Sequence, residues 1–276
     1  MLDPVLPIAI YLVLGYLFKV IYQDNSKQLI DQRIVELVLM FMCFSLVNLF
    51  LAYLIGKLMR LNRTYFATFM IMATFGNTSF IGFSYIDAFY GQDYIVYGLI
   101  YDIFGSFLLL ISIGMFIITW GNGKKNSLKL ISKSIFLFPP AIMFFVTLIL
   151  KNFEIPNFLM LTSKTLGSTL VPLAMIAIGM KLELKNIFAR LHIVSVAMIL
   201  KMIVFPIIIL IGFKYFYGID QTWVKVTIIE VAMPPMTMAT VLAIKGGLDE
   251  KVAINSLVLG VLLSLLTITM YTTYLA

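Results

Sequence analysis

Long apolar runs, separated by short polar turns, occupy almost the whole chain. A helix of about 20 apolar residues is long enough to cross the hydrocarbon core of a bilayer. The pattern therefore predicts an all-α polytopic membrane protein with about nine transmembrane helices. The predicted spans are residues 4–22, 34–57, 64–89, 94–120, 130–150, 157–181, 188–213, 222–244 and 251–275.

The third predicted span is interrupted at its centre. Residues 64–93 read TYFATFMIMATFGNTSFIGFSYIDAFYGQD, with Gly76-Asn77-Thr78-Ser79 in the middle. Glycine costs roughly 1 kcal/mol in a helix interior, and asparagine brings an amide that hydrocarbon cannot satisfy. The pattern predicts a helix that is broken at mid-depth, beside protein or water rather than lipid.

The eighth predicted span, within residues 222–249, has the same design. In an alignment without gaps, Thr64 matches Thr222, and Gly76-Asn77 falls on Pro234-Pro235. Proline lacks the backbone donor and clashes with the preceding turn, so this helix should also break. Two interrupted spans at corresponding points of two halves indicate the binding site of a secondary transporter.

The chain is 62% hydrophobic and only 12% charged, whereas soluble domains carry about 25% charged residues. Its net charge of +7 comes from Lys and Arg scattered through short loops, which indicates membrane topology rather than nucleic-acid binding. The loops after spans two, four, six and eight are the richer in Lys and Arg. This predicts a multi-pass protein of the cell membrane with a cytoplasmic N-terminus and an external C-terminus. The single cysteine, Cys43, excludes a disulfide framework, and no cofactor or metal is expected.

The polar loop at residues 121–133 separates the two copies of the interrupted span. We therefore predict a first repeat over 1–122 with four spans and a second repeat over 123–276 with five. The two interrupted helices should run in opposite directions, which makes the halves an inverted repeat whose first unit is short by one span.

Several segments, in this order, resemble the auxin efflux carrier family, which includes bacterial malate and malonate permeases. They are FGNTSFIGF (75–83), LVPLAMIAIGMKL (170–182), LKMIVFP (200–206), AMPP (232–235) and LLSLLTI (262–268). That family is similar in fold to the bile acid:sodium symporters. The resemblance implies two inverted five-helix repeats, with two broken helices crossing at the membrane midplane and an organic anion bound beside the crossing. It also implies that Asn77 touches the substrate.

YLFKVIYQDNSKQLID (16–31) resembles the end of the family's second span, so the first span would be absent; an internal deletion is the alternative.

The predicted substrate-binding residues cluster at the two interruptions. Asn77, Thr78 and Ser79 offer an amide and two hydroxyls, and the half-helix that starts there suits a carboxylate. The alternative is that these side chains only satisfy the backbone freed by the break. Further substrate-binding candidates are Gly76, Pro234 and Pro235, through backbone geometry, and Ser168 and Thr169, through span six, where small-residue helix packing competes as the explanation.

Three charged side chains within predicted spans are candidates for charge or proton coupling. A charge at the bilayer centre costs roughly 2.5–3.5 kcal/mol on insertion scales and needs a partner or water. Lys201 can attract an anion or act as a counter-ion, although snorkelling or a structural ion pair would also explain it. Glu230 and Asp102 can each accept a proton or pair with Lys201.

The leading functional prediction is a non-enzymatic secondary carrier of small organic anions that works by alternating access. Alternatives are a sodium-coupled symporter of the bile-acid-transporter type, a non-transporting truncated homologue, and an intramembrane aspartyl protease built on Tyr101-Asp102. For the protease, the nearest match to the partner motif Gly-x-Gly-Asp is Gly246-Gly247-Leu248-Asp249, in the wrong order and at the membrane edge. The expected partners are the organic anion and the lipid bilayer, with a homo-oligomer left open and no nucleic acid. The anion, the coupling ion and the direction of transport are not determined by the sequence.

Overall fold

The computed structural model of the protein describes residues 34–123, 156–169, 176, 180 and 190–276. Within these residues the regular structure is helical, and the backbone forms no strand. The α-helices are α1 (Ile34–Leu58), α2 (Arg63–Thr74), α3 (Phe83–Tyr90), α4 (Ile95–Ile100), α5 (Met115–Gly121), α6 (Asn157–Ser168), α7 (Leu191–Ile199), α8 (Phe205–Phe216), α9 (Thr222–Val231), α10 (Thr237–Lys245) and α11 (Glu250–Leu275). π-helical segments join several of them, at Thr78–Gly82, Tyr101–Phe107, Leu110–Gly114 and Leu200–Val204.

Among the residues that the structure describes, four continuous helical stretches are long and apolar enough to cross a membrane. They agree with predicted spans two, four, seven and nine, which confirms a helical protein with membrane-spanning character. Predicted spans one and five lie outside the described residues, as does part of span six, so the total of nine spans stays a prediction. The four stretches are Val35–Leu58, Gln92–Gly121, Leu191–Phe216 and Glu250–Leu275.

Predicted spans three and eight are not continuous helices. The first ends with α2 at Thr74 and resumes in the π-helical segment that begins at Thr78. The second ends with α9 at Val231 and resumes with α10 at Thr237. Both interruptions therefore lie where Gly-Asn and Pro-Pro were expected to break a helix.

The chain divides into two compact units. One consists of Met1–Ile34 and Ser127–Met180, in which α6 is the described helix; the other consists of Val35–Asn126 and Lys181–Ala276 and holds both interrupted spans. This division reflects packing, whereas the predicted repeats 1–122 and 123–276 describe symmetry and stay a prediction.

Small and branched side chains fill the core of the second unit, where α2 packs against α5, α7, α10 and α11. Helices in lipid associate through close packing of small residues rather than through the hydrophobic effect. Side-chain caps fix where two of them begin: the Asn62 side chain accepts from the N–H of Tyr65, and the Asp249 side chain accepts from the N–H of Val252. One cluster of buried core residues in this packing consists of Ala52, Phe69, Ala73, Ile193, Val194, Ala197, Met198, Leu200, Met202 and Val252.

Candidate functional site

The two interruptions pair with each other through the backbone. The N–H of Asn77 donates to the carbonyl of Pro234 at 2.7 Å, and the N–H of Met236 donates to the carbonyl of Phe75 at 2.9 Å. This pairing is antiparallel, and we call residues 75–77 with 234–236 the crossing. Backbone polar groups at membrane depth must be satisfied by protein. Each break therefore supplies partners for the other, and neither bond needs the donor that proline lacks.

Side chains from neighbouring helices cover the carbonyl ends of the two half-helices that stop at the crossing. The amide nitrogen of Asn48, on α1, donates to the carbonyl of Ala73 at 3.1 Å. The ammonium of Lys201 donates to the carbonyl of Val231 at 2.8 Å. Ala73 and Val231 are matched residues in the alignment of the two interrupted spans. The two half-helices are thus capped at equivalent carbonyls, once by an amide and once by a cation, which is favourable at a helix C-terminus.

Lys201 lies against the crossing and is only 1% exposed. Its Nζ is 3.1 Å from the position that a Cβ on Gly76 would occupy, so the absence of a side chain at Gly76 admits the ammonium. The ammonium donates to a backbone carbonyl, rather than reaching the surface or bonding a carboxylate. The structure thus places a buried positive charge beside the predicted substrate-binding residues.

Asp102 covers the N-terminus of the half-helix that begins at Thr78. Its carboxylate accepts a hydrogen bond from the Thr78 hydroxyl and also interacts with the hydroxyl and backbone N–H of Ser79. Asp102 is 5% exposed. A negative charge is favourable at a helix N-terminus, so this half-helix already carries its own anion.

The N-terminus of α10 is different, because no side chain in the described part of the chain caps it. The amide nitrogen of Asn77 donates to the hydroxyl of Thr237 at 3.0 Å, and the Asn77 amide oxygen is buried without a hydrogen-bond partner in the described part of the chain. Thr237 is partly exposed, whereas Asn77 is fully buried. The first-turn N–H groups of α10, Thr237 and the Asn77 amide therefore form the uncovered end of the crossing.

Thr237 is a candidate that the sequence interpretation missed. Its signal was available, since Thr237 matches Ser79 in the alignment of the two interrupted spans. Gly260, on α11, was also missed: a Cβ there would stand 2.5 Å from Cδ of Pro235 and 3.2 Å from Cβ of Pro234. This glycine lets α11 approach the proline pair.

Glu230 is fully buried one residue before the end of α9. Neither oxygen of its carboxyl has a hydrogen-bond partner among the described residues. The carboxyl fits where two glycines lack side chains: a Cβ on Gly82 would lie 2.5 Å from Oε2, and a Cβ on Gly98 would lie 2.7 Å from Oε1. We call the space beside Gly82 and Gly98 the glycine notch. Asp102 and Lys201 both interact electrostatically with Glu230.

The remaining predicted residues are not gathered at the crossing by any described contact. Thr169 is exposed in the first unit, where Ser168 ends α6. Asp249, which the protease alternative requires beside Asp102, caps α11 through the N–H of Val252 at 2.8 Å. Among the residues that the structure describes, no three His, Cys, Asp or Glu side chains are placed to hold a metal ion.

Comparisons with known proteins agree with a transporter. A family model described as "Membrane transport protein" matches residues 8–272. An uncharacterized transporter of Methanocaldococcus jannaschii is 28% identical over 267 residues, covering 91% of this chain and 83% of that protein. An uncharacterized transporter of Methanothermobacter thermautotrophicus is 26% identical over 206 residues, covering 73% of this chain and 65% of that protein, slightly under two thirds of its length.

Proposed function

The chain belongs to the membrane transport protein family, the auxin efflux carrier family that its motifs resemble, and from this premise we propose that it carries small organic anions by alternating access. The proposed substrates are malate, malonate and similar carboxylates. The observation that carries the proposal is the uncovered N-terminus of α10 at the crossing, next to the buried Asn77 amide. A helix N-terminus inside a water-poor site attracts a carboxylate through its free N–H groups and its partial positive charge.

Asn77 is suited to bind the anion because its side-chain amide can flip, which exchanges the positions of its oxygen and nitrogen, and still keep a hydrogen bond with the Thr237 hydroxyl. A hydroxyl both donates and accepts, so the Thr237 hydroxyl can donate to the amide oxygen when the amide turns over. The amide N–H groups would then be free for the substrate carboxylate. In the structure the amide oxygen is the buried atom without a partner, which supports this exchange.

The fixed charges favour an anion here. The Lys201 ammonium lies against the crossing, while the Asp102 carboxylate occupies the other half-helix N-terminus at Thr78. The substrate is therefore directed to α10 rather than to Thr78 and Ser79, which contribute by holding Asp102. Gly76, Pro234 and Pro235 shape the backbone at the crossing, while a role for Ser168, at the end of α6, and for Thr169, the residue after it, stays a prediction from the sequence.

The finer architecture is part of the proposal. We propose nine spans in a 4+5 inverted repeat, with the crossing at the membrane midplane of the cell membrane. The equivalent capping of Ala73 by Asn48 and of Val231 by Lys201 supports the internal repeat. The opposite access states would come from movement of predicted spans three, four, eight and nine against the remaining helices.

The test is the flux of labelled malate, malonate and indole-acetate into proteoliposomes. Asn77→Ala should slow the flux of the best substrate by roughly ten- to a hundredfold, as expected for loss of one hydrogen bond to a charged group. Asn157→Ala removes an exposed amide at the start of α6 and is the matched control. If the wild type moves none of these anions faster than empty vesicles, the carrier proposal fails. Unchanged flux in Asn77→Ala would instead move the site away from the crossing.

A further inference from the structure

Glu230 is the polar side chain that the anion site leaves unexplained. It is 0% exposed, and both of its carboxyl oxygens are buried without a hydrogen-bond partner in the described part of the chain. A carboxylate with no hydrogen bond is among the most costly groups to bury, whereas the neutral acid costs far less. The geometry therefore requires something to neutralise this carboxyl.

Among the described residues, no ammonium or guanidinium group is hydrogen-bonded to the Glu230 carboxyl. The Lys201 ammonium, which carries the nearby positive charge, donates to the Val231 carbonyl instead. At Gly98 the notch is also bordered by two carbon atoms, Cδ1 of Ile86 and Cδ1 of Phe83. A hard cation needs several oxygen ligands, and among the described residues no three His, Cys, Asp or Glu side chains are placed to hold one.

We propose that Glu230 in the glycine notch is a proton-binding site, and that a proton is the ion that travels with the anion. This inference rests on the proposed carrier function and names its coupling ion. The step is a simple proton transfer: water-borne H⁺ adds to one carboxylate oxygen of Glu230 on one side of the membrane and leaves it on the other. No oxidant or further reactant takes part.

The coupling follows from the charges around Glu230. Asp102 and Lys201 act on it through space, and the Tyr101 phenol also interacts with it. The acidic and basic side chains of the other elements packed against α9 are exposed: Asp87, Asp93, Lys214, Glu250 and Lys251.

An ionised Glu230 would add a second negative charge beside Asp102 and would repel the anionic substrate. Protonation removes that charge, so proton and anion bind cooperatively, and by linkage each raises the affinity for the other. Cooperative binding of both to one state is the condition for symport.

Infrared spectroscopy of the purified full-length protein tests the site without transport. The difference spectrum between acidic and alkaline solution contains the carbonyl stretch of every carboxyl that titrates, and Glu230→Gln should remove the one component that comes from Glu230. Asp87→Asn, which alters an exposed carboxyl on α3, should keep that component. Glu230→Met, which suits the apolar notch, serves as a second variant if Glu230→Gln does not fold. A folded Glu230 variant whose carbonyl spectrum is identical to that of the wild type overturns the proposal.

Proteoliposomes then test the coupling with labelled malate and malonate. A pH gradient, acidic on the side of the label, should accelerate uptake by the wild type and by Asp87→Asn, and uptake by Glu230→Gln should not respond. For a monovalent anion carried with one proton, one pH unit supports at most about tenfold accumulation. Wild-type flux that ignores pH but follows a sodium gradient overturns the proton site and leaves the carrier function standing. Absence of any wild-type flux refutes the carrier function, while the infrared band still decides the proton site.

Discussion

Single side chains at the crossing donate hydrogen bonds to backbone carbonyls at the ends of the two interrupted helices. Asn48 and Lys201 donate to matched carbonyls, at Ala73 and Val231. The sequence singled out Lys201, because a charge within an apolar run is costly and therefore conspicuous. It did not single out Asn48, because an amide in a span has many explanations until the carbonyl it covers is known.

The packing of Gly260 gives a testable prediction for a single residue. Its replacement by alanine would place a methyl group 2.5 Å from Cδ of Pro235, against backbone that the crossing holds in place. Gly260→Ala should therefore destabilise the protein by about 1–3 kcal/mol, as overpacking of a tight interface does, and should slow anion flux. The measurement is the midpoint of thermal unfolding in detergent micelles. Gly212→Ala is the control, since nothing lies within 4 Å of the added carbon; equal midpoints for the two variants would contradict the packing.

At the scale of elements, the positions of both breaks could be predicted from residue types alone. Gly-Asn and Pro-Pro are poor helix formers in the middle of apolar runs, and the helices do end beside them, at Thr74 and Val231. The antiparallel pairing of Gly76 with Pro235 could not be predicted, since it depends on how two distant helices are placed. The match of Thr237 to Ser79 was readable in the alignment, but the bond from the Asn77 amide to the Thr237 hydroxyl depends on the same placement and became visible only in the structure.

The proline pair tests whether the break itself is required. The double variant Pro234→Ala/Pro235→Ala restores the missing backbone donors and lets α9 continue toward α10. The bond from the N–H of Asn77 to the Pro234 carbonyl should then weaken, so the Asn77 amide should exchange with deuterium faster and anion flux should fall. Pro156→Ala, at an exposed proline before α6, is the control for proline removal. Unchanged exchange and flux in the double variant would show that the interruption does not depend on these prolines.

At the scale of the molecule, the membrane class and the family could be predicted from the sequence. The length of the apolar runs and the low charge indicate a membrane protein, because a segment in lipid must be apolar and must satisfy its own backbone hydrogen bonds. The family match over residues 8–272 confirms the resemblance. Predicted spans one and five, and part of span six, lie outside the described residues. The orientation, which rests on the distribution of Lys and Arg, stays a prediction.

Cysteine labelling tests that orientation. Cys43 is the only cysteine in the chain, so Cys43→Ser gives a background without thiols. Asp220→Cys, in the exposed turn before α9, should react with a membrane-impermeant maleimide added to intact cells. Lys251→Cys, at the exposed start of α11, should react only after the cells are permeabilised. The reverse pattern would place the N-terminus outside.

The pairing at the crossing also has a consequence for how the protein is made. Residues 75–77 are synthesised long before 234–236, yet the carbonyl of Phe75 and the N–H of Asn77 find their partners there. Until the later segment arrives, those groups lie unbonded in the middle of an apolar span, at several kcal/mol each if lipid surrounds them. The first interrupted helix therefore cannot settle as an independent span during insertion. It must remain in a wetter or protein-lined place, such as the insertion machinery, until the second interrupted helix enters the membrane and completes it.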